Sequence, residues 1–172
     1  ESPQDVGGNN VYDITVTASD GALSASKAVA ITVTDVNEAP SVTSSGTASF
    51  AENASGTAYT VSGTDPDAGT TLTYSISGTD AALFNIDSST GAVTFKTSPD
   101  FESPQDAGAN NVYDITVTAS DGALSASKAV AITVTNVNEA PSVTSAGTAS
   151  FAENGTGTAY TVTGTDPDAG TT

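Results

Sequence analysis

Residues 112–134 read VYDITVTASDGALSASKAVAITV, two runs of alternating apolar and polar residues around Ser120-Asp121-Gly122. Alternation with a period of two is typical of half-buried strands, and Asp and Gly are common turn residues. The segment therefore predicts a two-stranded antiparallel unit with one apolar face. The inward side chains would be those of Tyr113, Ile115, Val117, Val130, Ile132 and Val134.

The same segment occurs a second time as residues 11–33, and the whole of 1–71 aligns without a gap to 102–172. Only seven of these 71 positions differ. A repeat of about 100 residues has the size of a complete sandwich domain, whereas solenoid repeats are much shorter. We therefore expect a window onto a tandem array. Residues 1–37 would be the C-terminal part of one repeat (strands F and G), 38–138 a complete repeat, and 139–172 the N-terminal part of the next (strands A and B).

Turn signals separate seven short alternating runs within the complete repeat, which predicts an all-β fold. Seven antiparallel strands of this length are typical of a Greek-key, Ig-like β-sandwich. The predicted strands are A, which ends near 48–50, B (58–61), C (72–76), D (83–86), E (92–95), F (112–119) and G (129–134). The aromatic side chains assigned to the core are Phe50, Tyr59, Tyr74, Phe84, Phe95 and Tyr113, with Phe101 closing one end.

The composition excludes several classes of function. The chain has 20 acidic residues and three lysines, a net charge of −17, and no Cys or His. It can therefore form no zinc finger, haem site or disulfide framework, and it has no histidine base for an enzyme. Three lysines cannot neutralise a nucleic-acid backbone, and no apolar run is long enough to span a bilayer. We predict no enzymatic activity, no nucleic-acid partner and no membrane insertion.

The acidic residues gather at the ends of the predicted repeats. Of the 20 acids, 14 lie in end loops and linkers, including all six glutamates. Because strand direction alternates, the second junction should bring six carboxylates together, those of Glu52, Asp100, Glu102, Glu139, Asp166 and Asp168. Like charges at short distance repel, and a hard divalent cation removes the repulsion. Asp, Glu and Asn oxygens without His or Cys are the donor set that Ca²⁺ prefers.

This constellation resembles the cadherin repeat, and the resemblance covers the whole chain. The motifs that carry it are Ala51-Glu52-Asn53, Asp65-Pro66-Asp67, residues 84–91, Asp100-Phe101-Glu102, Ala119-Ser120-Asp121 and an acid-rich linker that ends in Pro40 or Pro141. The resemblance implies Ca²⁺ ions at each junction that hold successive domains rigidly in line.

The resemblance also implies a ligand set at each junction. At the first junction the ligands would be Glu1, Asp35, Asn37, Glu38, Asp65, Asp67 and Asp121. At the second they would be Glu52, Asp100, Glu102, Asn136, Asn138, Glu139, Asp166 and Asp168. Two departures from the animal pattern stand out. The linker has Asn-Glu-Ala in place of Asn-Asp-Asn, and Asp35 of the first junction becomes Asn136 in the second, which predicts weaker binding there.

Two classes of function follow. The first is a calcium-binding structural repeat of an extracellular bacterial adhesin or surface filament, which Ca²⁺ stiffens for cell adhesion. Its partners would be the neighbouring repeats of the same chain, with self-association into filaments as an open possibility. The alternative is a recognition module, homophilic or directed at surface glycans. The absence of Trp disfavours that alternative, because sugar platforms often use exposed tryptophan rings.

Overall fold

The computed structural model describes residues 3–168, and their regular structure is almost entirely β-strand. Within these residues a single 3₁₀ turn, Ala81–Leu83, interrupts the strands. The strands are β1 (Val11–Ser19), β2 (Ser24–Thr32), β3 (Ser41–Val42), β4 (Thr47–Ala51), β5 (Thr57–Thr60), β6 (Gly63–Thr64), β7 (Thr73–Ser77), β8 (Phe84–Ile86), β9 (Ala92–Phe95), β10 (Val112–Ser120), β11 (Ser125–Thr135), β12 (Ser142–Val143) and β13 (Gly164–Thr165).

The strands β3 to β11 form a sandwich of two main sheets. One sheet has the order β4-β11-β10-β7, and the other has the order β5-β9-β8. The short pair β3-β6 extends the structure at one end. The all-β, Ig-like sandwich expected from the alternation of apolar residues is thereby confirmed.

The core lies between the two sheets and contains the side chains that the alternation places inward. Tyr113, Ile115 and Val117 of β10 are at most 2% exposed, as are Val130, Ile132 and Val134 of β11. The predicted core aromatics pack together: the Phe84 and Phe95 rings are 4.3 Å apart, and Phe95 meets Tyr113 edge-on at 5.1 Å. Phe101 packs against this cluster from the end of the sandwich.

One pairing differs from the expected antiparallel arrangement. Strand β4 pairs with β11 in parallel, with Thr47 opposite Ala131 and Ala51 opposite Thr135. The predicted strand A is in fact two strands. Strand β3 pairs with β6, whereas β4 joins the four-stranded sheet beside β11. When an odd number of consecutive strands alternate in direction, the first strand and the last strand point the same way. When these two are neighbours, they can only pair in parallel.

Identical residues have different environments in the two copies of the hairpin. Ile14, Val16 and Ile31 of β1 and β2 are 44%, 47% and 48% exposed. Their equivalents in β10 and β11, which are Ile115, Val117 and Ile132, are 2% exposed or less. The apolar face of β10 and β11 is therefore buried because the sheet β5-β9-β8 covers it. The same sequence in β1 and β2 has no such cover among the described residues and stays exposed.

Candidate metal centre

Four carboxylates meet at the end of the sandwich where β4 stops. Glu52, Glu102, Glu139 and Asp168 each offer an oxygen atom, and these four atoms lie within 4.8 Å of one another. Glu52 directly follows β4, Glu102 lies between β9 and β10, Glu139 follows β11, and Asp168 follows β13. The strand directions thus bring four distant segments of the chain to one point.

Glu52 is the buried anchor of this group, with a 2% exposed side chain. Its Oε2 accepts a hydrogen bond from the Phe101 amide at 2.7 Å, and its Oε1 accepts one from the Val137 amide at 2.7 Å. The Glu52 side chain therefore holds both the β9–β10 connection and the linker that follows β11. Hydrogen bonds to a carboxylate are stronger than those between neutral groups, so these two donors position the Glu52 side chain firmly.

The linker and the segment after β13 are joined by a short chain of hydrogen bonds. The Glu139 amide donates to Asp168 Oδ2 at 2.7 Å, and the Asp168 amide donates to Asp166 Oδ1 at 3.0 Å. Asn138 Nδ2 donates to the Glu139 carbonyl at 3.1 Å. These contacts connect the end of one repeat with the loop of the next.

Two side-chain amides contribute donors to the group. Asn136 Nδ2 donates to Glu102 Oε1 at 3.0 Å, and Asn53 Nδ2 donates to Glu139 Oε1. Asp100 stands beside the group and uses its Oδ1 as an acceptor for the Glu102 amide at 3.0 Å and for the Ser103 amide at 3.2 Å. Asp100 thereby shapes the turn that carries Glu102.

The surroundings of Glu102 disfavour its ionised form. Loss of hydration raises the pKa of Glu102, and the negative charges of Glu52, Glu139 and Asp168 raise it further. Glu102 Oε2 and Glu139 Oε2 are buried, and neither has a hydrogen-bond partner in the part of the chain that the structure describes. Buried carboxylate oxygens are normally satisfied, so these two atoms are available as acceptors for a cation or for water.

The first junction repeats this pattern of contacts. The Glu38 amide donates to Asp67 Oδ2 at 2.9 Å, and the Asp67 amide donates to Asp65 Oδ1 at 2.9 Å. Asn37 Nδ2 donates to Asp121 Oδ2 at 2.8 Å. The Leu124 amide lowers the pKa of Asp121 most strongly, followed by the Asn37 amide group. Asp65 Oδ2 and Asp67 Oδ1 are buried and find no hydrogen-bond partner within residues 3–168.

The residues expected as ligands fall into three groups. Glu52, Glu102, Glu139 and Asp168 form the close group, while Asp100, Asn136, Asn138 and Asp166 surround it through hydrogen bonds. At the first junction Asn37, Glu38, Asp65, Asp67 and Asp121 are linked, and Asp35 is exposed. Glu1 lies outside the described residues. Asn53, whose side-chain amide reaches Glu139, is not among the ligands expected from the sequence.

The donor set fits a calcium ion. All the side chains in the group offer oxygen, and Ca²⁺ accepts about 6–8 oxygen ligands in irregular geometry. Zinc and copper favour nitrogen or sulfur ligands, and this chain contains neither His nor Cys. Both junctions contain buried carboxylate oxygens that have no hydrogen-bond partner among the described residues.

Comparison with known proteins identifies the sandwich. The family model for the Cadherin domain matches residues 46–136. A crystal structure of mouse cadherin-23 EC22-24 is 27% identical, with a TM-score of 0.59, and the match covers 74% of this chain and 43% of that one. The crystal structure of human CDH23 EC21-23 is 23% identical and shows the same fold, with a TM-score of 0.66 over 94% of this chain and 55% of that one.

A curated relative comes from a microbial source. Halomucin of Haloquadratum walsbyi is 43% identical over 72 residues, which are 40% of this chain. The match spans about 1% of the length of halomucin. Within residues 3–168, no helix is long and apolar enough to cross a membrane.

Proposed function

The chain belongs to the cadherin domain family, and from this premise we propose that it is a calcium-binding structural repeat of an extracellular adhesin or surface filament. In this proposal, Ca²⁺ ions at each junction hold neighbouring repeats in line. Cadherin repeats are typical of adhesive, extracellular proteins, and the family is structural in character. The similarity to halomucin favours a prokaryotic cell surface as the location.

The observation that carries the proposal is the close group of four carboxylates. Glu52 and Glu102 come from the sandwich, Glu139 comes from the linker, and Asp168 comes from the segment that begins the next repeat. A cation bound by all four would therefore hold two successive repeats at a fixed orientation. The residues that would support these ligands at the second junction are Asp100, Asn136, Asn138 and Asp166. The first junction would bind its ions through Glu1, Asp35, Asn37, Glu38, Asp65, Asp67 and Asp121.

The bound ion would supply positive charge where the chain has none. The three lysines all lie outside the junctions, and the Lys96 and Lys128 ammonium groups donate to the carbonyls of Ala82 and Ser44. Without a cation, the carboxylates repel and the linkers gain freedom. With a cation, the same carboxylates bind a common centre, and the array of repeats becomes stiffer.

The two junctions should differ in affinity. Position 35 is Asp in the first linker, whereas its equivalent, 136, is Asn in the second. The amide keeps a ligand oxygen but removes one negative charge, so the second junction should bind Ca²⁺ more weakly.

Direct calorimetric titration of the whole chain with Ca²⁺ and with Mg²⁺ tests the proposal. We expect binding of Ca²⁺ at about 10⁻⁴–10⁻³ M, the range common in extracellular modules. Mg²⁺ should bind more weakly, because it demands regular octahedral geometry. The double variant Glu102→Gln, Glu139→Gln should lose the sites of the second junction and keep those of the first.

A matched control comes from acids that lie on strands. The variant Asp13→Asn, Asp114→Asn removes the same number of charges at exposed positions of β1 and β10. This control should bind Ca²⁺ like the wild type. Equal losses in the two variants would mean that net charge alone attracts the ion, and an absence of Ca²⁺ binding by the wild type would refute the proposal.

A further inference from the structure

Asn53 occupies a rigid position beside the carboxylate group. It directly follows the buried Glu52, and its backbone amide donates to the Pro99 carbonyl at 2.9 Å. Ser98 Oγ donates to the carbonyl of the next residue, Ala54, at 2.8 Å. Asn53 adopts a left-handed backbone conformation with φ 57°, which Asn and Gly tolerate better than other residues. The turn therefore fixes where the Asn53 side chain begins.

From this position the Asn53 side chain reaches across to the linker. Its Nδ2 donates to Oε1 of Glu139, a residue 86 positions further along the chain. The other oxygen of the same carboxylate, Glu139 Oε2, is buried and has no hydrogen-bond partner within the described part of the chain. One oxygen of Glu139 is thus held by an amide, and the other is left for a positive partner.

We infer that Asn53 is a positioning residue that sets the Glu139 carboxylate for the cation, an inference that rests on the proposed function. Glu139 has a long side chain with several rotatable bonds, and fixing such a chain costs conformational entropy when the ion binds. A hydrogen bond that is already made lowers that cost. An amide is suited to this task because it donates without adding charge. A lysine would compete with the ion, and an aspartate would add a further repelling carboxylate.

The chain contains a matched residue for comparison. Asn154 lies 101 positions after Asn53 in the aligned copy, and it has the same left-handed conformation with φ 61°. No carboxylate among the described residues accepts a hydrogen bond from the Asn154 side chain. Asn53 and Asn154 therefore share the preceding residues and the left-handed backbone. They differ in the contact with Glu139, in the backbone hydrogen bond to Pro99 and in the two residues that follow.

The test compares Asn53→Gly with Asn154→Gly in the whole chain. Glycine can keep the left-handed conformation, and it removes the whole side chain together with its amide. For Asn53→Gly we expect the affinity of the second junction for Ca²⁺ to fall about tenfold, the lower end of the range for residues that orient a metal ligand. Asn154→Gly should leave the affinity unchanged. Equal affinities for Asn53→Gly and the wild type would overturn the inference.

A double-mutant cycle in chelator separates this inference from the proposed function. Asn53→Gly and Glu139→Ala should be non-additive in their effect on the midpoint of denaturant unfolding, because both changes remove the same hydrogen bond. Additive effects would show that Asn53 does not hold Glu139, even if the wild type binds Ca²⁺. If the wild type binds no Ca²⁺ while the effects are non-additive, the proposed function fails, and with it the role in cation binding.

Discussion

At the scale of single residues, Glu52 matters most for the junction. Its two oxygens accept hydrogen bonds from the backbone of two different connections, at Phe101 and at Val137. A surface acid kept only for solubility would not be 2% exposed and doubly bonded to the backbone. Glu52 therefore contributes to the fold of the junction as well as to its charge.

Glu52→Ala should destabilise the sandwich even in the absence of Ca²⁺. The change leaves two backbone N–H groups without acceptors, and each unsatisfied group costs about 1–3 kcal/mol. We expect a total loss of about 2–6 kcal/mol in the free energy of unfolding, measured by urea denaturation in chelator. Glu153→Ala is the control, because Glu153 is the exposed equivalent in the next copy, and it should change stability by less than about 0.5 kcal/mol. Equal effects of the two substitutions would contradict the anchoring role of Glu52.

Replacement of Asn136 by Asp should change the melting temperature in opposite directions in chelator and in excess Ca²⁺. Asn136→Asp removes the hydrogen bond to Glu102 Oε1 and adds a carboxylate to the group. In chelator the variant should therefore melt at a lower temperature than the wild type. In excess Ca²⁺ it should bind more tightly and melt at a higher temperature.

The reverse change at the first junction serves as the control. Asp35→Asn should weaken Ca²⁺ binding there, since position 35 is the equivalent of 136. Thermal unfolding followed by circular dichroism, with and without Ca²⁺, measures both variants. A variant Asn136→Asp that binds Ca²⁺ less tightly than the wild type would contradict the assigned role of this position.

At the scale of elements, alternation of apolar residues was sufficient to locate most strands. The predicted strand E, 92–95, coincides with β9, and the predicted strand F ends within one residue of β10. Such runs are informative because a strand that is buried on one face shows its period directly in the sequence. The inward positions of β10 and β11 were predicted for the same reason.

Features that depend on partner strands could not be predicted. The division of the first strand between two sheets leaves no mark on the alternation, because both halves bury one face. The hydrogen bond from Asn53 to Glu139 was missed for a similar reason. It joins residues 86 positions apart, and its existence depends on a left-handed turn that the sequence does not specify.

At Gly91 the turn between β8 and β9 comes close to the backbone of Val61. It ends the β8–β9 turn with φ 73°, and a Cβ atom there would lie 2.3 Å from the Val61 carbonyl oxygen. Gly91→Ala should cost about 2–5 kcal/mol, from the left-handed conformation and from overpacking together. Gly56→Ala is the control, because Gly56 has φ 107° with nothing near the added methyl group, and it should cost about 1–2 kcal/mol. Denaturant unfolding in chelator measures both, and a difference near zero would contradict the close approach.

At the scale of the whole molecule, a strong negative charge is placed where repeats meet. A net charge of −17 spread evenly over the surface would favour solubility alone. Instead, four carboxylates come from the sandwich, the linker and the following segment, and their oxygens lie within 4.8 Å of one another. Under the proposed function, this arrangement would make the relative orientation of the repeats respond to cations. The chain has no cysteine, so no disulfide bond within it can reinforce the junctions.

Binding of Ca²⁺ should also raise the free energy of unfolding. An ion that binds only the folded state stabilises it by mass action, by about 1.4 kcal/mol per site at ten times the dissociation constant. The ions at the second junction would stabilise the sandwich and its orientation relative to the next segment at once. Stability and shape should therefore respond over the same range of Ca²⁺ concentration.

The most direct measurement of this coupling is a Ca²⁺ titration of the whole chain followed in parallel by thermal unfolding and by small-angle X-ray scattering. We predict that millimolar Ca²⁺ raises the melting temperature and makes the scattering profile more extended, with one common midpoint, and that a chelator reverses both changes. The account would be contradicted if neither the melting temperature nor the scattering profile changed on addition of Ca²⁺.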